Sequence, residues 1–284
     1  MFLKHSILYP IYISRKMNKK LFPSTILQAL LLLILFMIFG SSGILIKEIF
    51  LKNANVEVVM LISVGFSFLA VIAFIHLINI KKKITYNFSL KYIGLIPIPL
   101  IILITFQLGI YTPLSKLIFS FTNPDIIPLN PFSSIVSLLS SLILAPIFEE
   151  IIFRGYILRG FLSTYSPIKA IISSAIIFGL VHFYPYQIIG AIPLGVFFGW
   201  IYYKTKSIGI TIILHSFVNF IGLFSGWLHF KYGNQTIESI SDIYGNYSIY
   251  MIIVATASFV FFLHRFIQKM KLFHVDNEIE IITT

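Results

Sequence analysis

Apolar stretches of about 20 residues recur along this chain, and short polar segments separate them. Such a stretch is long enough to cross the ~30 Å hydrocarbon core of a bilayer. Of the 284 residues, 58% are hydrophobic and only 11% are charged, which excludes an ordinary soluble domain. The sequence therefore predicts an all-α, polytopic helix bundle in the cell membrane.

We expect about eight transmembrane helices. The fourth is longer than a crossing needs, and Pro146 should kink it because proline lacks the N–H of a helix hydrogen bond. The fifth and sixth should form a tight hairpin, since only the segment 183–186 separates them. Gly195 and Gly199 predict close packing of the sixth helix. The predicted ranges are 25–46, 57–80, 91–112, 131–162, 167–183, 186–203, 207–228 and 246–268.

The chain is interpreted as one transmembrane domain, 25–271, because it contains no linker and no low-complexity tract. Residues 1–24 and 272–284 are expected to be cytoplasmic, and Met17 is an alternative translation start to Met1. The segment 113–130 is rich in proline, which interrupts helical hydrogen bonding. It should therefore be an outer loop.

Positive charge is distributed asymmetrically around these helices. If both termini are cytoplasmic, all 21 Lys and Arg residues fall on the inner side except Lys47, Lys52, Lys116 and Lys231. The positive-inside rule then favours an even number of crossings. The net charge of +11 follows from this orientation and from attraction to anionic lipid, so no nucleic-acid partner is expected. Because the chain has no cysteine, disulfides, thiol catalysis and cysteine-based metal sites are excluded.

Polar side chains within the predicted helices are the candidates for function. A charged side chain at membrane depth costs roughly 2.5–3.5 kcal/mol even on the mildest insertion scale, so it is rare without a partner or a function. Three clusters occur: Glu149, Glu150 and Arg154; Phe178 and His182; His215 and Asn219.

These clusters are expected at a common depth. With a rise of ~1.5 Å per residue, Glu149 lies ~15 Å and His182 ~20 Å from the inner ends of their helices. On the seventh helix, His215 lies ~14 Å and Asn219 ~20 Å from the inner end. We therefore expect these four side chains to meet near the middle of the bilayer, towards its cytoplasmic side.

Spacing within each helix suggests separate roles. Glu150 and Arg154 are four residues apart and are predicted to form a buried ion pair. Glu149 points about 100° away and can face a cavity. His215 and Asn219 are also four apart and can present hydrogen-bond donors to one point, as stabilisation of a developing oxyanion requires. The alternative interpretations are a purely structural ion pair and helix packing through the Asn219 amide.

The three clusters, in this order and at these spacings, resemble the signature of the CPBP (Abi) intramembrane proteases. That family includes the type II CAAX prenyl endopeptidases and bacterial bacteriocin-processing and self-immunity proteins. The resemblance covers about 145–225 and implies a protease core at about 131–228. The matching motifs are Glu149-Glu150-x-x-x-Arg154, Phe178-x-x-x-His182 and His215-x-x-x-Asn219.

The resemblance implies a peptidase that hydrolyses a peptide bond at membrane depth. Glu149 and His182 would activate the attacking water, His215 and Asn219 would stabilise the oxyanion, and the remaining two residues would support the site. A glutamate-activated water without a cofactor is the favoured mechanism. A metalloprotease is the alternative, with zinc bound by Glu149, His182 and His215, although the sequence lacks the His-Glu-x-x-His zinc motif. The implied site residues are Glu149, Glu150, Arg154, His182, His215 and Asn219.

The expected partners are membrane lipid and a peptide substrate, either CAAX-like or a bacteriocin or pheromone leader. A non-enzymatic immunity or regulatory protein is the second hypothesis, in which the same polar residues stabilise the bundle or a peptide complex. A transporter is the third, because buried Glu and His also serve proton relays. Transporters usually show two matching halves, and none is evident in this sequence.

Overall fold

The computed structural model describes residues 20–50, 52–53, 55–82, 84–122, 130–182, 184–232 and 244–283. Within these ranges the protein is helical and contains no β-strand, which confirms the predicted fold class. The helices, numbered along the chain, are α1 (Ile26–Phe50), α2 (Val56–Ile78), α3 (Pro97–Phe106, Gln107–Tyr111 and Thr112–Thr122), α4 (Ile135–Leu162), α5 (Pro167–Leu180), α6 (Pro185–Thr205), α7 (Ile208–Tyr232) and α8 (Ser248–Thr283).

Counting only the described residues, seven of these helices are long and apolar enough to cross a membrane. The other one, α5, has 14 residues and rises ~21 Å, which is less than the ~30 Å core. The fifth predicted segment is thus a helix, but a short one. Large apolar side chains such as Leu27 and Ile249 are exposed on the surface, as contact with lipid allows. The chain is a multi-pass integral membrane protein.

The third helix extends further than the sequence predicts. The outer loop expected over 113–130 is wrong for 113–122, because Thr112–Thr122 is helical. Residues 123–129 lie outside the described part of the chain. A wide π-helical turn, Gln107–Tyr111, directly precedes this segment and accommodates Pro113, which cannot donate a backbone hydrogen bond.

The fourth helix runs to Leu162 as predicted, but its hydrogen bonding is irregular. Two π-helical segments, Ser140–Leu144 and Ile151–Leu158, flank a short α-helical segment, Ala145–Glu150, that contains Pro146. A widened turn, Ser140–Leu144, thus lies just before Pro146. π-Helical turns inside α-helices are frequent at functional sites.

Helices α5 and α6 form the predicted hairpin, with a close approach of their backbones. A Cβ added to Gly195 would lie 3.0 Å from the Cα of Ala175, and one added to Gly199 would lie 3.3 Å from a side-chain carbon of Ile171. Glycine at these two positions therefore permits the close packing that the sequence predicts.

A non-helical segment, 84–90, connects α2 to α3 and holds the start of α7. The carbonyl of Asn87 accepts a hydrogen bond from the N–H of Ile208 at 2.8 Å. The carbonyl of Ser89 accepts one from the hydroxyl of Ser207 at 2.6 Å. These bonds fix the start of α7 and hence the height at which its two candidate residues lie.

The last helix packs against α3, α6 and α7 through an apolar cluster that includes Leu103, Leu214, Phe266 and Met270. It continues to Thr283, so most of the segment assigned to a cytoplasmic tail is helical.

Candidate active site

A buried ion pair lies in the middle of α4. The Nη1 of Arg154 donates to the Oε1 of Glu150 at 2.9 Å, and the two side chains are 2% and 0% exposed. The pair predicted from the four-residue spacing is confirmed. Removing one partner alone would leave the other charge buried and uncompensated, so the two residues stabilise the fold as a unit.

Helices α5 and α6 enclose the guanidinium group of this pair. The Nη2 of Arg154 donates to the carbonyl of Gly195 at 3.2 Å. The rings of Phe178 and Phe198 have centroids 4.8 Å and 5.6 Å from its Cζ. Aromatic faces attract a cation at this range. Phe178, the first residue of the second motif, thus packs directly on the ion pair of the first motif.

The imidazole of His215 lies between two carboxylates. Its Nδ1 is 2.9 Å from the Oε1 of Glu150. Because an ionised carboxylate can only accept, we assign the proton to Nδ1. Its Nε2 lies 3.7 Å from the Oε2 of Glu149. The sequence gives Glu150 only a supporting role, whereas the structure shows that one carboxylate oxygen joins Arg154 to His215.

The carboxylate of Glu149 faces a cavity, as its position on the helix predicts. The side chain is 15% exposed, and among the described residues its Oε2 has no hydrogen-bond partner. The cavity measures about 250 Å³, and its walls are mostly apolar, including Leu32, Phe68 and Phe153. A carboxylate here is poorly solvated, and its Oε2 is itself buried.

The ring of His182 stands just beyond the end of α5. Its Nδ1 is 3.0 Å from the carbonyl of Phe178, so this nitrogen is the donor and Nε2 remains available. His182 lines the apolar cavity together with Glu149. It also lines a second, larger cavity of about 420 Å³. The two cavities share Ala145 and His182, so they meet beside α4.

The larger cavity brings the second and third motifs together, since His182, His215 and Asn219 all line it. The amide of Asn219 also makes a bond that the sequence does not predict: its Nδ2 donates to the carbonyl of Ser141 in α4 at 2.8 Å. The expected convergence of His215 and Asn219 on one space is therefore present, but one hydrogen of the Asn219 amide is already engaged.

A comparison with protein families bears directly on this constellation. Residues 131–221 match the family model described as type II CAAX prenyl endopeptidase, Rce1-like. This part of the chain is similar to an Rce1-like protease domain. The match includes all three motifs, so the resemblance to CAAX-type (CPBP) intramembrane proteases is confirmed, and the family indicates a peptidase. No curated protein and no solved structure shows significant similarity to the chain.

Several residues that line the cavities do not belong to any of the three motifs and are not predicted from the sequence. Gln107 and Tyr111 line the larger cavity from α3, outside the family match, and Gln187 lines it from α6. Two of them carry a readable signal, because an amide side chain within an apolar helix seeks a hydrogen-bond partner. The position of Ala145 could not be predicted from the sequence, since only the packing of α4 places this residue between the two cavities.

The zinc alternative requires that Glu149, His182 and His215 surround one point. Among the residues that the structure describes, no group of three or more His, Cys, Asp or Glu side chains is arranged to hold a metal ion. The Nδ1 atoms of both histidines bond protein oxygens, which leaves only Nε2 of each ring for a ligand.

Proposed function

We propose that the protein is an intramembrane endopeptidase in which Glu149 activates a water molecule for attack on a peptide bond. The position of Glu149 carries the proposal. Its Oε2, without a hydrogen-bond partner among the described residues, lies 3.7 Å from the Nε2 of His215, and its cavity is shared with His182. A carboxylate within reach of a water and of the substrate can act as a general base.

In the proposed reaction, Glu149 takes one proton from water while the water oxygen bonds to the carbonyl carbon. The carbonyl oxygen becomes the oxyanion of a tetrahedral intermediate. When the carbon–nitrogen bond breaks, the proton held by Glu149 passes to the leaving amine, which balances the reaction. His182 would orient the water through Nε2, because its Nδ1 is held by the carbonyl of Phe178.

The oxyanion would be stabilised by His215 and Asn219, which line the cavity next to Glu149. His215 can donate through Nε2 only when that nitrogen also carries a proton. Glu150 holds the ring at Nδ1, and Nε2 lies 3.7 Å from the carboxylate of Glu149. Arg154 would act indirectly, because it holds the oxygen of Glu150 that bonds His215.

The substrate in this proposal is a peptide at membrane depth. The amides of Gln107 and Gln187 on the wall of the larger cavity can pair with a peptide backbone. The apolar cavity beside Glu149 suits an aliphatic or aromatic part of the same substrate. A CAAX-like peptide and a bacteriocin or pheromone leader both meet this description.

Cleavage can be tested by mass-spectrometric mapping of membrane peptides from cells with and without the protein. We expect new peptide ends only in cells that contain it. Identical peptide sets would contradict the proposal. Protection against a bacteriocin that survived Glu149→Ala and His182→Ala together would then favour the immunity hypothesis.

Metal chelators should leave the rate of cleavage unchanged. In the proposed mechanism the base is Glu149 and the donors are side chains of the protein, so removal of divalent metal takes away no reacting group. The measurement is the initial rate after dialysis against EDTA or 1,10-phenanthroline. Loss of activity that added zinc restores would contradict this expectation.

A further inference from the structure

The structure contains two wide helical turns of the same design. Each is a five-residue π-helical turn, Gln107–Tyr111 in α3 and Ser140–Leu144 in α4. Each is followed, after one intervening residue, by a proline: Pro113 in the first case and Pro146 in the second. Both turns border the larger cavity, through Gln107 and Tyr111 on one side and Ser141 on the other.

The proline leaves one carbonyl of each turn without its backbone donor. In a π-helical turn an N–H bonds the carbonyl five residues earlier. The N–H of Thr112 does so with Gln107, and the N–H of Ala145 with Ser140. The next carbonyls, those of Leu108 and Ser141, would pair with the backbone nitrogens of Pro113 and Pro146. A proline nitrogen carries no hydrogen and cannot donate.

A side chain from another part of the bundle supplies the missing donor in both cases. The hydroxyl of Tyr244 donates to the carbonyl of Leu108 at 2.6 Å. The Nδ2 of Asn219 donates to the carbonyl of Ser141 at 2.8 Å. At membrane depth, backbone groups need partners within the protein wherever apolar surroundings keep water away, so such a bond is favoured. Only the second bond involves a residue of the candidate active site.

We propose that Pro146 is a positioning residue for Asn219. Because Pro146 withholds an N–H, the carbonyl of Ser141 binds one hydrogen of the Asn219 amide and fixes the plane of that group. The second hydrogen of the same Nδ2 is then held in a set direction on the wall of the cavity. A donor that is oriented before the reaction stabilises an oxyanion without reorganisation. This inference rests on the proposed function, in which Asn219 binds the oxyanion.

The decisive experiment combines Pro146→Ala, Asn219→Ala and the double variant, each assayed for kcat, KM and thermal unfolding in detergent. Pro146→Ala restores a backbone donor that competes with Asn219 for Ser141. We expect kcat to fall about 10-fold with KM unchanged, whereas loss of the donor itself in Asn219→Ala should cost about 10²–10³-fold. The double variant should be no slower than Asn219→Ala, because Pro146 acts only through that amide.

Unfolding provides a readout that does not depend on activity. Asn219→Ala should lower the unfolding temperature when Pro146 is present and much less when it is alanine, because a backbone N–H then satisfies Ser141. Pro113→Ala is the matched control: it restores the same kind of donor at the other turn, where Tyr244 is the partner, and should leave kcat unchanged.

Two rate measurements on the variants at Pro146 would overturn the inference. One is a wild-type kcat in Pro146→Ala, and the other is a rate loss in the double variant equal to the product of the two single losses. If Asn219→Ala cleaves as fast as wild type, its oxyanion role fails and the inference fails with it. If the wild type cleaves no peptide, the proposed function fails, and the unfolding temperatures alone decide whether Pro146 and Asn219 are coupled. Additive shifts would then overturn the coupling.

Discussion

Glu149→Gln should lower the rate of peptide cleavage by about 10³-fold without unfolding the protein. The amide keeps the size and shape of the carboxylate but cannot take a proton from water, and general acid–base catalysis contributes about 10²–10⁴-fold. The Oε2 of Glu149 has no hydrogen-bond partner among the described residues, so the substitution breaks no bond at that atom. The rate is best measured in single turnover, in proteoliposomes, with a peptide that the wild type cleaves.

The matched control is Glu57→Gln. Glu57 stands in the first turn of α2, is exposed, and accepts a hydrogen bond from the hydroxyl of Ser134, away from both cavities. The Glu57→Gln variant should cleave the peptide at the wild-type rate. If Glu149→Gln kept more than about a tenth of the activity, Glu149 would not be the general base.

Arg154→Ala should destabilise the protein by about 3–5 kcal/mol, the cost of leaving one charge of a buried pair without its partner. Glu150 would lose its bond at 2.9 Å while remaining fully buried. Because the same carboxylate oxygen bonds His215, the position of the imidazole should also become less defined and cleavage should fall. Reversible unfolding in mixed detergent micelles measures the loss of stability, and the cleavage assay measures the loss of activity.

Two further variants test whether the unpaired buried charge is the cause of the instability of Arg154→Ala. Arg159→Ala removes an arginine from the same helix that bonds the carbonyl of Thr85 in an exposed position, and it should cost less than about 1 kcal/mol. Glu150→Gln combined with Arg154→Met removes both charges. This pair should recover most of the stability lost in Arg154→Ala, because no charge is left unpaired, but not the activity. A double variant as unstable as Arg154→Ala would show that the unpaired charge is not the cause.

Much of the architecture follows from local pattern. Apolar stretches identify the helices because the bilayer imposes their length, and the spacing of Glu150 and Arg154 predicts their bond because one helical turn brings the two side chains together. The close approach at Gly195 follows in the same way from the absence of a side chain. Each of these properties can be predicted from the residues of a single helix.

The errors occur where one helix completes the hydrogen bonding of another. A proline suggests a break at Pro113, yet the chain continues as a helix because a π-helical turn precedes it and Tyr244 bonds the freed carbonyl. The amide of Asn219 meets Ser141 across a sequence separation of 78 residues, which no periodicity reveals. The division of the site into a larger cavity with several polar residues and a smaller, mostly apolar one is likewise invisible until α1 and α2 pack beside α4.

The order of residues alone determined that this chain is a membrane-embedded helical bundle with three polar motifs, and that two of those residues form an ion pair. The tertiary structure decided which atoms of the motifs touch: one oxygen of Glu150 serves both Arg154 and His215, and one oxygen of Glu149 is buried without a hydrogen-bond partner among the described residues. The physical reason is that helical geometry sets contacts over four residues, whereas contacts between helices depend on how whole surfaces pack together.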